Sequence, residues 1–247
     1  VGMSLLTENL KTLATDWLKS ALVHFTKSPF RAFLWGACTT LLIQSSSATV
    51  VMVIGFVSAK LLKFSRAVGV VIGASFGTTG TSWIVAWIGL KFQIGYYVMP
   101  LIGLGGIASA LGRGNWKSGG AILAGFGMIF LGIDTLQRGM GSMAKAFDFA
   151  SLPNQGVIAA ILSLLIGIVL TVIVQSSSAA TATTLAALSS GALNQEQAAT
   201  IVIGAAIGTT VTGAVAAMGA GLQARRTAWA HVLFNMSAGL VGLLLLP

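Results

Sequence analysis

The chain has 247 residues, 55% of them hydrophobic and 8% charged, with a formal net charge of +9 and a mean hydropathy of +0.91. These values exclude an ordinary soluble domain and point to an integral membrane protein; the apolar runs lack the alternating pattern of an outer-membrane barrel, so the expected class is all-α. The single cysteine, Cys38, excludes an internal disulfide and reads as a small buried residue.

In chain order, residues 2–26 read as the tail of an amphipathic helix whose opening half-helix is expected upstream of Val1. Residues 30–58 form a hydrophobic stretch interrupted by Gln44-Ser45-Ser46-Ser47. Its arms, about ten to sixteen residues each, fall short of the roughly 20 that a spanning helix needs, which predicts a re-entrant helical hairpin. Residues 65–90 read as a span broken by the Gly/Thr motif at 73–81, and 94–111 as an uninterrupted span. The same order then returns: a span with an amphipathic tail at 119–149, a hairpin at 157–190 broken by Gln175-Ser176-Ser177-Ser178, a span at 196–222 broken at 204–212, and a last span at 229–246. Sliding the chain by 131 positions aligns 31–82 with 162–213 without a gap and with 19 identities in 52 positions, an internal repeat too dense for composition alone.

Three crossings per unit would turn the second copy upside down relative to the first. The predicted organisation is therefore two inverted-topology repeats, 1–113 and 114–247, together one transport domain. The charges agree with it. One face collects Lys11, Lys19, Lys27, Arg31, Lys60, Lys63, Arg66, Arg113, Lys117, Arg225 and Arg226, and the other only Lys91, Arg138 and Lys145. That bias is the positive-inside pattern of a multi-pass protein of the cell's inner or plasma membrane. Basic residues spread over loops, with no groove-binding module, exclude nucleic acid as a partner and leave the lipid bilayer as the surroundings.

Irregular backbone at membrane depth is tolerated only where protein or a wet cavity surrounds it, so the breaks are the candidate site. Gln44 and Gln175 can donate and accept, and the serines add rotatable hydroxyls. Unpaired N–H groups at a half-helix start favour an anion. Hydroxyl and carbonyl oxygens at the same breaks suit a hard cation such as sodium. Thr78, Thr79, Thr81 and Thr209, Thr210, Thr212 add oxygens, and Gly73, Gly77, Gly204 and Gly208 allow sharp bends or close helix approach.

Paired QSSS motifs, each followed by a glycine-rich G-T-T-x-T segment, and the closing "RRTAWAHVLFN", resemble the type II sodium-dependent phosphate cotransporter family, in particular its short bacterial members. The resemblance implies sodium-driven symport of inorganic phosphate by alternating access, with sodium as coupling ion and no cofactor or other metal. It implies phosphate at Gln44, Ser45, Ser46, Ser47, Gln175, Ser176, Ser177 and Ser178. Sodium is expected at Ser47, Thr78, Thr79, Ser178, Thr209 and Thr210, with Ser75, His231 and Asn235 in support. Members of the family are often homodimers. The family usually reads G-A-N-I-G-T-T, and here Ser75 and Ala206 stand at the two Asn positions.

A transporter or channel for another small anion is the alternative, and no enzyme is expected. The more distant alternative is an intramembrane serine hydrolase, with Ser75 of "GASFG" as nucleophile and His231 as base. It lacks the strand-turn-helix setting, and the repeat partner of Ser75 is Ala206. "GLGGIA", 103–108, has no surrounding βαβ unit and reads as close helix packing. Asp134 reads as a helix-end residue, and Trp17, Trp35, Trp83, Trp87, Trp116 and Trp229 as interface anchors.

Overall fold

The computed structural model describes residues 28–84, 95–146 and 156–246. The helix tail expected at 2–26, Lys11, Lys19, Lys27, Lys91, Trp17, Trp87 and the last residues of the spans expected to reach 90 and 149 lie outside the described residues, as do the side chains of Thr81, Asp134, Arg138 and Lys145. Every regular element among the described residues is helical: α1 (Pro29–Ile43), α2 (Ser46–Ser58), α3 (Phe64–Ile84), α4 (Gly95–Leu111), α5 (Asn115–Ala146), α6 (Val157–Val174), α7 (Ser177–Ser189), α8 (Gln195–Gly208), α9 (Thr210–Ala216) and α10 (Leu222–Leu245).

Their apolar residues point the wrong way for water. In α10 the inward side carries Ala224, Thr227, Ala228, His231, Asn235 and Gly239, while Leu233, Met236, Leu240, Val241, Leu244 and Leu245 are exposed. In α6 the exposed side is Val157, Ile158, Ile161, Leu162, Leu165, Ile166, Val169 and Ile173. Large aliphatics outside and small or polar residues inside are what a lipid solvent selects. Among the described residues, three stretches are long and apolar enough to cross a membrane: Val157–Val174, Gln195–Ala216 and Leu222–Leu245. Cys38 follows the same rule: it is exposed, not buried as expected, on the outward side of α1 with Leu34, Leu41 and Leu42.

The sequence repeat recurs in the backbone. α1 ends on Gln44 in the left-handed region, φ 57° and ψ 29°, and α6 ends on Gln175 at φ 57° and ψ 24°. Each keeps its own N–H on the helical ladder, donating to the Thr40 and Thr171 carbonyls at 2.7 and 2.8 Å, but its left-handed angles turn the chain that follows off the helix axis and so stop the helix. Ser45 and Ser176 then return to extended backbone and cap α2 and α7, accepting from the Ala48 and Ala179 amides at 3.2 Å each. α2 and α7 leave through a second left-handed pair, Lys60 at φ 59° and Gly191 at φ 76°.

α1 packs along α3 and α6 along α8, both far more extensively than either packs on the helix that follows it. A Cβ on Gly36 would strike the Val70 carbonyl and one on Gly73 the Phe33 carbonyl; the counterparts Gly167 and Gly204 would strike Ile201 and Leu164. The glycines therefore let two helices touch backbone to backbone. The expectation of a broken third segment is corrected for the first copy, while in the second the helix divides at Thr209, inside the expected 204–212, without leaving helical angles. α3 runs uninterrupted through Gly73–Thr81, and between α8 and α9 Thr209 keeps right-handed helical angles, φ −58° and ψ −28°. A glycine pressed against a neighbouring helix has no reason to bend its own. Of the hairpin arms, α1, α2 and α7 have 15, 13 and 13 residues, within the expected range of about ten to sixteen, while α6 has 18 and is long enough to be a candidate span. The final helix starts at Leu222, earlier than the expected 229.

The two halves interlock. α9 lies on α2, α3 reaches α7, and α10 touches α2, α3, α8 and α9. By contrast α4 packs mainly on α5. The main core lies where the halves meet, with Val50, Val53, Ile54, Val70, Val71 and Ala74 from the first and Ala217, Ala224 and Ala228 from the second.

Candidate functional site

At this crossing lies a cavity of about 100 Å³, lined by Ser46, Ser75, Thr78, Thr79, Ser82, Ser177, Thr181, Val202, Ala206, Thr209, His231 and Asn235. At ~30 Å³ per water in the liquid, that is room for about three water-sized groups, enough for a small oxyanion with a bare cation against it. Five elements build it by helical spacing. α3 lends positions i, i+3, i+4 and i+7 as Ser75, Thr78, Thr79 and Ser82, and α8 and its extension lend Val202, Ala206 and Thr209. α2 and α7 present their first turns, Ser46 and Ser177 with Thr181, and α10 presents His231 and Asn235. Residues with this spacing share one face only if the helix is continuous.

Hydrogen bonding divides the lining into two chemistries. Thr78 Oγ1 donates to the Ala74 carbonyl at 3.2 Å, Thr79 Oγ1 to Phe76 at 2.6 Å, Thr209 Oγ1 to Ala205 at 3.0 Å and Ser75 Oγ to Val71 at 3.4 Å. A carbonyl can only accept, so each hydroxyl proton is committed to its own helix and each oxygen turns lone pairs toward the cavity. That wall suits a hard cation. The starts of α2 and α7 are the opposite: the caps at Ser45 and Ser176 satisfy the third amide of each helix, leaving the first amides, of Ser46, Ser47, Ser177 and Ser178, without an intrahelical acceptor. Those ends suit an anion.

No Lys, Arg, Asp or Glu lines the cavity, and among the described residues there is no cluster of metal-ligating His, Cys, Asp and Glu. His231 is 1% exposed and its Nδ1 has no hydrogen-bond partner. Gly213 makes room for it, since a Cβ there would sit 3.3 Å from Nδ1. Asn235 Nδ2 donates to the His231 carbonyl at 3.0 Å and to Ser75 Oγ at 3.3 Å, joining α10 to α3. The bonds of Ser75 Oγ thus run to Val71 and Asn235, not to the His231 imidazole that a nucleophile would need.

Of the residues expected to hold phosphate, Ser46 and Ser177 line the cavity; Ser45 and Ser176 cap the helices behind it, and Ser47 and Ser178 lie beside it without lining it. Gln44 and Gln175 do not line it either. Each returns its Nε2 to its own helix end, at the Leu41 and Val172 carbonyls, and Gln175 Oε1 accepts from Thr212 Oγ1 at 3.3 Å. Of the residues expected to hold sodium, Thr78, Thr79 and Thr209 line the cavity, whereas Thr210 is buried against the Ile207 carbonyl. The three supporting residues, Ser75, His231 and Asn235, all line it. Ser82 and Thr181 escaped the sequence reading. Each stands one helical turn beyond a named residue, Thr78 and Ser177, and the expectation of a break at 73–81 hid the first.

Outward aliphatics, a duplicated pair of helix breaks and a neutral polar cavity between the halves define a helical membrane protein with a candidate site at the crossing of its halves. The sequence profile of the family described as Na+/Pi-cotransporter matches residues 1–138 and 144–245, and the chain belongs to this family. It is 35% identical over 235 residues to "Uncharacterized protein YqeW" of Bacillus subtilis (strain 168), an alignment covering 95% of this chain and 75% of that one. It is 30% identical over 216 residues to "Putative inorganic phosphate export protein YjbB" of Escherichia coli (strain K12), and equally to the protein of that name from Salmonella typhimurium. Those alignments cover 85% of this chain and 38% of the relative, so the chain spans well under half of their length. No solved structure matches the chain.

Proposed function

We propose that the chain is the transport domain of a sodium-coupled inorganic phosphate symporter of the plasma membrane, working by alternating access between two inverted repeats, 1–113 and 114–247. Membership of the Na+/Pi-cotransporter family supports phosphate as the substrate. The observation that carries the reading is the divided cavity, with acceptor oxygens of Ser75, Thr78, Thr79 and Thr209 on its walls and the starts of α2 and α7 opening into it. A phosphate dianion in a pocket without a cationic side chain is poorly compensated, and a hard cation alone there is no better off. Bound together they neutralise one another, which is the physical basis of coupling. Movement of α1–α3 against α6–α9 about α10 would open the cavity to either side in turn.

Reconstitution in proteoliposomes tests this. Labelled phosphate should accumulate under an inward sodium gradient and not under an equal choline gradient, and the double variant Ser46→Ala, Ser177→Ala should lose at least nine-tenths of that flux. Uptake indifferent to the sodium gradient sinks the coupling, and flux of sulfate or succinate in place of phosphate sinks the substrate. The printed name of the Escherichia coli relative favours a second reading of direction, net export. Phosphate-loaded vesicles with inverted gradients separate the two.

A further inference from the structure

A second cavity, of about 430 Å³, lies away from the polar crossing, in the elbow where α9 gives way to α10. Its floor is made of small residues, Ala214, Ala217, Gly219 and Ala228, and its sides of Met218, Trp229 and Val232. Arg225 is the one charged side chain that lines it. Along α10, Arg225, Ala228, Trp229 and Val232 stand at i, i+3, i+4 and i+7, so the arginine heads an apolar strip on a single helix face. Arg226, its neighbour in sequence, carries the same charge but does not line the groove.

Depth and charge together identify the occupant. Leu222–Leu245 is a candidate membrane span, and the groove takes up its first three turns, the level where lipid headgroups give way to acyl chains. Trp229 is 61% exposed and Met218 78%, so the groove opens on the surface that the outward aliphatics turn to lipid. Its volume lies within the ~300–1,000 Å³ of small-molecule sites, and filling it with water would forfeit the burial of its apolar walls. No acidic residue stands in the first turn of α10 and none lines the groove, so the Arg225 charge meets no counter-charge there. A positive charge at the head of an apolar slot is complementary to a molecule with an anionic head and a hydrocarbon tail. We propose that this elbow is a binding site for one anionic phospholipid, with the phosphodiester at the Arg225 guanidinium and an acyl chain laid along Ala214, Ala228 and Val232. The site is separate from the polar cavity and stands whether or not the chain carries phosphate.

The full chain, stripped of lipid in a neutral detergent, is unfolded thermally across titrations of phosphatidylglycerol and of phosphatidylcholine with the same acyl chains. Native mass spectrometry counts the lipid retained. A ligand that binds only the folded state raises the midpoint with its occupancy. The wild-type chain should retain one phosphatidylglycerol and respond to it at a concentration at least about fivefold below that needed of phosphatidylcholine, the worth of one basic residue at an anionic headgroup. Arg225→Gln should erase that difference, and Arg225→Lys, which keeps the charge, should preserve most of it. Arg226→Gln removes the same charge from the same turn and should titrate like wild type. Ala214 is exposed, so Ala214→Phe fills the groove without disturbing the core; it should abolish lipid retention and leave the lipid-free midpoint unchanged. Equal responses to the two lipids, equal losses in Arg225→Gln and Arg226→Gln, or lipid retained by Ala214→Phe overturns the site. So does an Arg225-dependent shift produced by inorganic phosphate alone, the mark of a free-anion site, or a lipid-free dimer that Ala214→Phe dissociates, the mark of a contact between copies.

Discussion

The two copies, α1–α3 and α6–α9, agree at the helix breaks and close approaches and diverge at several side chains that meet the cavity or the core behind it. Gln44 and Gln175, Ser45 and Ser176, Gly36 and Gly167, Gly73 and Gly204 occupy the same roles with nearly the same angles and contacts. Ser75 faces Ala206 across the repeat, and Ser82 faces Gly213. Thr40 Oγ1 donates to Thr49 Oγ1 at 3.1 Å, but the second copy has Ala180 in place of Thr49 and leaves Thr171 Oγ1 buried without a partner. A duplicated scaffold preserves its breaks and close approaches because every later helix depends on them. The polar lining has only local partners and can diverge one residue at a time.

The comparison breaks most severely if the close approaches are not equivalent. Gly36→Ala and Gly167→Ala each drive a Cβ into a facing carbonyl; overpacking of this kind costs about 1–3 kcal/mol or more, and rigid backbone leaves no relief. Both variants should lower the unfolding midpoint in detergent by similar, large amounts. A harmless Gly167→Ala beside a crippling Gly36→Ala would show that the second copy packs more loosely.

A smaller effect with opposite signs is expected at the threonines. Thr40→Val removes a buried hydrogen bond, worth roughly 0.6–1.5 kcal/mol in such a setting. Thr171→Val removes a hydroxyl that has no partner, so it should be neutral or stabilising by up to about 1 kcal/mol. Thermal unfolding of the two variants side by side reads the difference, and equal losses would contradict it. The smallest effect lies at the second left-handed pair. Lys60→Gly relieves a non-glycine residue at φ 59° and Gly191→Ala imposes one at φ 76°, so their midpoints should move in opposite directions, each by about 1 kcal/mol.

Much of the arrangement was legible in advance. The offset of 131 positions, the two interruptions at QSSS and the polar clusters that gather in the cavity are all visible in the order of residues. Two features depend on neighbours that no single stretch of residues shows. Glycine before G-T-T reads as a bend, yet in the first copy α3 runs straight through it, because Gly73, like Gly204, is required for contact with a neighbouring helix, and composition cannot tell these uses apart. The family resemblance implies phosphate at the glutamines; here each carboxamide bonds the end of its own helix, with Gln175 also meeting Thr212.

By itself, then, the sequence determined the lipid environment, the helical class, the duplication and the places where helices stop, because hydropathy, periodicity and capping are local properties that survive without knowledge of neighbours. Only the tertiary structure decided that α3 continues through its glycines, that the cavity takes Ser46 and Ser177 in preference to the glutamines, and that Asn235 reaches Ser75 across 160 residues of chain. Those facts depend on which helix lies against which, and no stretch of residues read alone contains its neighbour.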